Sequence, residues 1–196
     1  MARPGPEPES LGVSSPAPPE GEAPSFEAVY EAHFDFVWRS LRHLGVSEAG
    51  AEDAVQEVFL VVHRRLGDFE ARSSVKTWLF GIARKLASRH RRTRDRRPET
   101  SEAPALETLR DRGQPGSDEA LARAQALIVL DALLDELDDE KREVFVLAEL
   151  EQMTMPEIGQ ALGLNVNTAY TRLRAARRDF ERAAARERAR AGRRAG

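Results

Sequence analysis

The chain has 196 residues, 41% of them hydrophobic and 32% charged, with no cysteine and a formal net charge of −3. That composition allows one ordinary domain or two small ones built from amphipathic helices with strongly solvated faces, and it excludes disulfides and thiolate metal sites. No run approaches the ~20 apolar residues that span a bilayer, and the first residues lack an apolar signal core, so the expectation is a cytoplasmic protein.

The net charge conceals a pattern. Residues 98–140 carry 12 acidic and 3 basic residues, while 25–97 and 141–196 are each net basic. Two basic blocks flanking an acidic spacer point to an anionic partner better than the total does. Residues 1–24 are rich in Pro, Glu, Ala and Ser and are expected to be disordered, because too few large apolar side chains remain to offset the entropy of ordering.

The first predicted helix begins at Ser25. Phe26, Val29, Tyr30, Phe34, Val37, Trp38, Leu41 and Leu44 recur at helical spacing and are expected to be core, with Gly45 as the stop. A second helix follows Ser47, an N-cap residue, and buries Ala51, Val55, Val58, Phe59, Val62 and Leu66. Asp53, Gln56, Glu57 and Leu60 share another face of it, which is either ordinary solvated surface or a docking patch.

After a loop at Phe69–Ser74, the stretch from Ser73 to Arg97 predicts a third helix. Two serines stand at its start, and Val75, Trp78, Leu79, Ile82 and Leu86 form its apolar face. Its second half is a comb of positive charge: Arg84, Lys85, Arg89, Arg91, Arg92, Arg94, Arg96 and Arg97 against Asp95. A helix carrying an aromatic residue and running into such a comb suits a nucleic-acid backbone with base stacking. Trp78 is either that stacking surface or plain core.

Residues 98–117, with their prolines, glycines and acids, read as a flexible linker. Beyond it, Leu121, Ala124, Leu127, Ile128, Leu134 and Leu137 mark one helix and Lys141 to Leu150 another. Thr154 caps a short helix with Pro156 in its first turn, and Gly163 ends it. Asn165 caps the last helix, where Val166, Ala169, Leu173, Ala176 and Phe180 point inward and Asn167, Thr168, Thr171, Arg172, Arg174, Arg177 and Arg178 point outward. A short helix, a glycine turn and an arginine-rich helix form the helix-turn-helix pattern, with short polar residues for base edges and arginines for phosphates or guanine. The Arg- and Ala-rich end is expected to fray.

The predicted fold is therefore all-α: two small helical domains, 25–97 and 118–182, joined by a flexible acidic linker, with a basic tail at 183–196. Four segments together resemble the extracytoplasmic-function (ECF) class of sigma factors in the sigma-70 family. AEDAVQEVFLVVHRRL (51–66) is similar to the family's core-polymerase-binding helix, and FEARSSVKTWLFGIARKLASRHRR (69–92) to its −10-reading, strand-separating segment. The acidic stretch stands where the class has a bare linker. Residues 134–180 resemble the −35-reading domain.

The resemblance implies that Asp53, Gln56, Glu57 and Leu60 dock on the clamp helices of the largest subunit of core RNA polymerase. It assigns Lys76, Trp78, Arg84, Lys85, Arg89, Arg91 and Arg92 to the −10 region, and Asn165, Asn167, Thr168, Thr171, Arg172, Arg174, Arg177 and Arg178 to the −35 element. It further implies contact with the polymerase beta subunit and an anti-sigma factor that holds the protein at the membrane, with no cofactor, no metal and no enzymatic activity. Four positions depart from the family pattern: His63 stands for an aromatic, Lys85 for Asn, and Gln152 and Asn167 for Gly. The competing readings are a pure interaction adaptor, which would leave the arginine comb without a role, a two-domain helix-turn-helix regulator, and a recombinase. The tyrosine form of the recombinase finds only Tyr30 and Tyr170, both explained by helix packing or the last helix. The serine form finds Ser10, Ser14 and Ser15 in the tail.

Overall fold

A computed structural model describes residues 24–71, 73–96 and 118–194. The expected N-terminal tail up to residue 23, Arg97 and the linker 98–117 lie outside the described residues. Every regular element among the described residues is helical: α1 (Phe26–His43), α2 (Glu48–Arg65), α3 (Val75–Arg96), α4 (Asp118–Asp135), α5 (Asp139–Phe145), α6 (Met155–Leu162) and α7 (Val166–Arg194).

The first three helices pack against one another in pairs. Ser25 caps α1, its hydroxyl accepting from the Ala28 N–H at 3.2 Å. Ser74 does the same for α3, accepting from the Thr77 N–H at 3.1 Å. Ser47 has the extended backbone of an N-cap, yet its side chain makes no capping bond. Gly45 ends the first connection with φ +88°, a backbone conformation that favours glycine, and a Cβ there would press on the Arg142 guanidinium at 2.6 Å.

The buried stripe of α2 is the one its periodicity predicts: Ala51, Val55, Val58, Phe59, Val62 and Leu66 are all buried. The core of α1 is rotated from expectation. Val29, Val37, Leu41 and Leu44 are buried, but so is Phe36, whereas Tyr30 is 40% exposed and Phe26, Phe34 and Trp38 are only partly covered. The reason is that α1 is flanked on two sides, by α2 and α3. Its buried arc therefore turns toward Phe36 and Val37, and the aromatic stripe becomes an edge.

In the C-terminal half, α4 is apolar on most faces, so spacing alone could not select the inward one. Ala124, Leu134 and the following Leu137 are buried, while Leu121, Leu127 and Val129 are exposed. The helix expected over 141–150 is divided. After α5 the chain continues as a π-helix at Val146–Leu150, which widens the turn by one residue before the loop at Glu151. Gln152, one of the departures from the family pattern, has φ +54° and is thus left-handed without being glycine. Phe145 stacks on Phe180 at 4.6 Å between ring centres, fixing α5 to α7.

The two halves pack against each other. A single apolar core runs from Val29, Val37 and Phe80 through Leu134, Phe145 and Ile158 to Ala176, and α6 packs against α3. The end of the chain also differs from expectation. Instead of fraying after residue 182, α7 continues to Arg194, with Ala183 and Ala184 buried and Arg186 paired to Glu136 at 2.9 Å.

Candidate nucleic-acid interface

Three faces hold the side chains singled out by sequence. The first lies on α2. Asp53, Gln56 and Leu60 are exposed, Leu60 at 51%. Glu57, on the same face, is half-buried and pairs with Arg89 of α3. Beside them the aromatic edge of α1 opens a groove of about 690 Å³, lined by Tyr30, Phe34, Trp38, Phe59 and His63 together with Asp53, Gln56 and Leu60. Its floor is ordered by ring contacts: Tyr30 to Phe59 at 4.6 Å, and Phe34 stacked on Phe59 at 6.3 Å. The aromatics predicted as core thus form part of this surface. Their helical spacing was the available signal, but spacing cannot separate a core stripe from a groove wall.

The second face is α3. Trp78 is half-buried and rests against Phe69 of the preceding loop at 5.0 Å, so it is neither fully core nor fully free. Lys85 and Arg92 are exposed. Arg84, Arg89 and Arg91 of the comb, and Lys76 before it, are engaged. Arg89 meets Glu57; Arg84 bonds Glu143 of α5 at 3.1 Å. Arg91 donates to the Leu44 carbonyl and pairs with Asp139 at 2.6 Å. Lys76 donates to the Glu151 carbonyl at 2.9 Å and lies 4.9 Å from the centre of the Phe36 ring. Burial lifts the Glu143 carboxyl above the ordinary range, against the pull of Arg84. Burial, aided by the Lys76 charge, lowers the His33 imidazole.

The third face belongs to α6 and α7. Thr154 and Glu157 form a capping box that fixes the start of α6, and the Thr154 bonds hold the Glu157 carboxyl below its usual value. Gly163 closes the helix in the left-handed conformation, with φ +67°. Gly159 allows the next turn to come close: a Cβ would stand 2.9 Å from the Leu164 carbonyl oxygen. Asn165 caps α7, its side-chain oxygen accepting from the Asn167 N–H at 2.9 Å.

From this start Asn165, Asn167, Thr168, Thr171, Arg174 and Arg178 project as exposed residues. Arg172 is half-buried and pairs with Glu140 at 3.0 Å, and Arg177 pairs with Glu149 at 2.6 Å. Ala169, Leu173 and Ala176 are buried as expected, but Val166 is 37% exposed. It sits in the first turn, before the neighbouring helix covers α7. Tyr170, 58% exposed in the same turns, was not singled out by its sequence position and joins this face.

Sigma-70 region 2 matches residues 29–97, and Sigma-70, region 4 matches residues 127–180. The chain is 30% identical over 159 residues to the ECF RNA polymerase sigma factor SigC of Mycobacterium tuberculosis, covering 81% of this chain and 82% of that one. The chain belongs to the ECF sigma factors of the sigma-70 family. This sigma factor is also 28% identical over 162 residues to the RNA polymerase sigma factor CnrH of Cupriavidus metallidurans, across 80% of its own length and 85% of CnrH.

Two solved structures share its fold. CnrH in complex with the cytosolic domain of CnrY superposes with a TM-score of 0.61 at 24% identity, covering 80% and 84% of the two chains. The sigma factor RpoE of Bartonella quintana, in complex with the anti-sigma factor NepR, gives 0.56 at 21% identity, covering 79% and 95%. The family is not an enzyme class. Among the described residues of this sigma factor no helix is long and apolar enough to cross a membrane, and no cluster of metal-ligating side chains occurs.

Proposed function

We propose that this ECF sigma factor divides its work among the three faces. Asp53, Gln56, Glu57 and Leu60, with the aromatic groove beside them, dock on the clamp helices of core RNA polymerase. An acidic and polar rim around one exposed leucine suits a basic coiled coil, with the charges setting orientation and on-rate and the apolar groove supplying area. Tyr30, Phe34 and Trp38 join that contact.

On α3, Lys76, Arg84, Lys85, Arg89, Arg91 and Arg92 hold phosphates of the −10 region, and the loop before Trp78 receives an unstacked base. Unstacking costs a few kcal/mol, which stacking on an aromatic platform can offset. In the major groove of the −35 element, Asn165, Asn167, Thr168, Thr171 and Tyr170 read base edges. Arg172, Arg174, Arg177 and Arg178 hold phosphates or guanine. These assignments follow domains bounded at 25–97 and 118–182. The protein performs no catalysis of its own, acts in the cytoplasm, and is held inactive by an anti-sigma factor.

The observation that carries the docking assignment is the exposed Asp53–Gln56–Leu60 face bordering an open aromatic groove. The experiment is transcription by purified core polymerase from the protein's own upstream promoter. A start site that appears only when the protein is added supports the reading. No specific transcript, with active core and no inhibitor present, refutes it.

A further inference from the structure

A polar cleft of about 310 Å³ lies between α3 and the turn that joins α4 to α5, apart from the aromatic groove. That volume stands at the lower end for a small-molecule site. Arg91, Arg92 and Arg142 line it with Ser88, and the exposed Asp135 and Asp139 border it.

Two of the arginines are held in place by backbone. The Arg142 side chain is 4% exposed, and its Nε donates to the Leu134 carbonyl at 2.8 Å. Arg91 is 11% exposed and donates to the Leu44 carbonyl. Both close on one point: a Cβ on Gly45 would stand 2.6 Å from Arg142 Nη1 and 3.0 Å from Arg91 Cδ. The guanidiniums are therefore neighbours, and like charges shielded from water repel more strongly than they would in it. Their carboxylates offset this weakly. Asp139 and Asp135 are 63% and 57% exposed, and water competes for an acid so placed. Arg92 adjoins Arg91, one turn from Ser88, and neither Arg92 nor Ser88 takes a partner among the described residues.

We propose that this cleft binds a compact diphosphate group. Arg91 and Arg142 each present a fork to it, Arg92 closes over its outer side, and the Ser88 hydroxyl donates to one oxygen. Guanidinium forks match phosphate oxygens bidentately. A single phosphate group carries about −1.5 to −2 charge near neutrality, short of three guanidiniums, whereas two linked groups match them. Leu137 supplies the apolar part of the lining, and no aromatic ring of the described residues stands there to stack a base. Recognition therefore ends at the phosphates. The inference stands apart from the assignment of α3 to DNA, because a small anion reads the site directly.

The test is isothermal titration of the full chain with inorganic pyrophosphate, free of divalent cations, beside thermal melts. The expected result is one-to-one binding with a raised melting temperature, since a ligand of the folded chain stabilises it. Inorganic phosphate and sulfate bind about tenfold more weakly or worse, and adenosine diphosphate no tighter than pyrophosphate. Arg92→Ala, a change at an exposed side chain, keeps the unliganded melt and weakens pyrophosphate about tenfold. Asp135→Asn with Asp139→Asn removes the competing carboxylates and strengthens binding about threefold or more. Arg174→Ala with Arg178→Ala, in exposed arginines outside the cleft, leaves affinity unchanged. No heat and no melt shift up to about 1 mM pyrophosphate overturns the site. So does binding that ignores both the Arg92 and the aspartate variants, or that is lost with Arg174 and Arg178, because the anion then sits on the general arginine surface. Adenosine diphosphate binding about tenfold tighter overturns the bare diphosphate as ligand.

Discussion

Leu60 offers the most direct test of the proposed docking face. It is 51% exposed in the free protein, surrounded by polar residues, and borders the aromatic groove. Full burial of a leucine contributes about 1.5–3 kcal/mol relative to exposure, so the half that remains open to water holds about 0.8–1.5 kcal/mol for a partner to gain. Leu60→Ala forfeits most of that, a loss of about four- to thirteenfold in affinity for core polymerase. Little stability is lost, because the side chain packs on no more than half its surface. Leu60→Met keeps the apolar area and is expected to bind within about twofold of the natural protein. The measurement is a titration of fluorescently labelled sigma factor with core polymerase, alongside thermal melts of each variant. Unchanged affinity of Leu60→Ala, with the melt also unchanged, refutes the docking assignment. A loss shared equally by Leu60→Met refutes the argument from apolar area.

Other expectations concern the C-terminal half. Gly159→Ala pushes a methyl group against the Leu164 carbonyl and destabilises the helix-turn-helix by about 1–3 kcal/mol, read as a lowered melting temperature and lost −35 binding. Thr154→Ala removes the capping box and costs about 1 kcal/mol. Because the Glu157 carboxyl is lowered in the folded state, the stability it contributes is fully present above its ordinary value and is lost as the pH falls through the lowered one. The thermal stability of Glu157→Gln should accordingly vary less with pH over that range. Arg174→Ala and Arg178→Ala each reduce the log–log salt slope of duplex binding by about 0.9 if they hold phosphates, whereas Asn167→Ala relaxes base preference with little change in slope.

Much of the local architecture was legible because it depends on near neighbours. The caps at Ser25, Ser74, Thr154 and Asn165, the stops at Gly45 and Gly163, and the buried stripe of α2 are each set within a few residues of chain. The helix-turn-helix was legible for the same reason, as were the exposed polar positions at the start of α7. The errors lie where a second element decides. Tyr30 and Phe34 keep helical spacing but become a groove wall, since α1 turns Phe36 inward between α2 and α3. The chain beyond residue 182 reads as a solvated tail, yet Ala183 and Ala184 are buried and the helix persists.

The sequence by itself determined the class of the protein, seven helices in their order, and the concentration of arginine on α3 and α7. These follow from periodicity, capping chemistry and charge, which are written along one dimension. Only the tertiary structure decided which of those arginines face solvent. Glu143 and Glu151 lie 59 and 75 residues from the cations they bond, and no local pattern can pair groups at such a distance. The packing of the C-terminal half on α3 brings them together, and it leaves Lys76 and Arg84 already partnered.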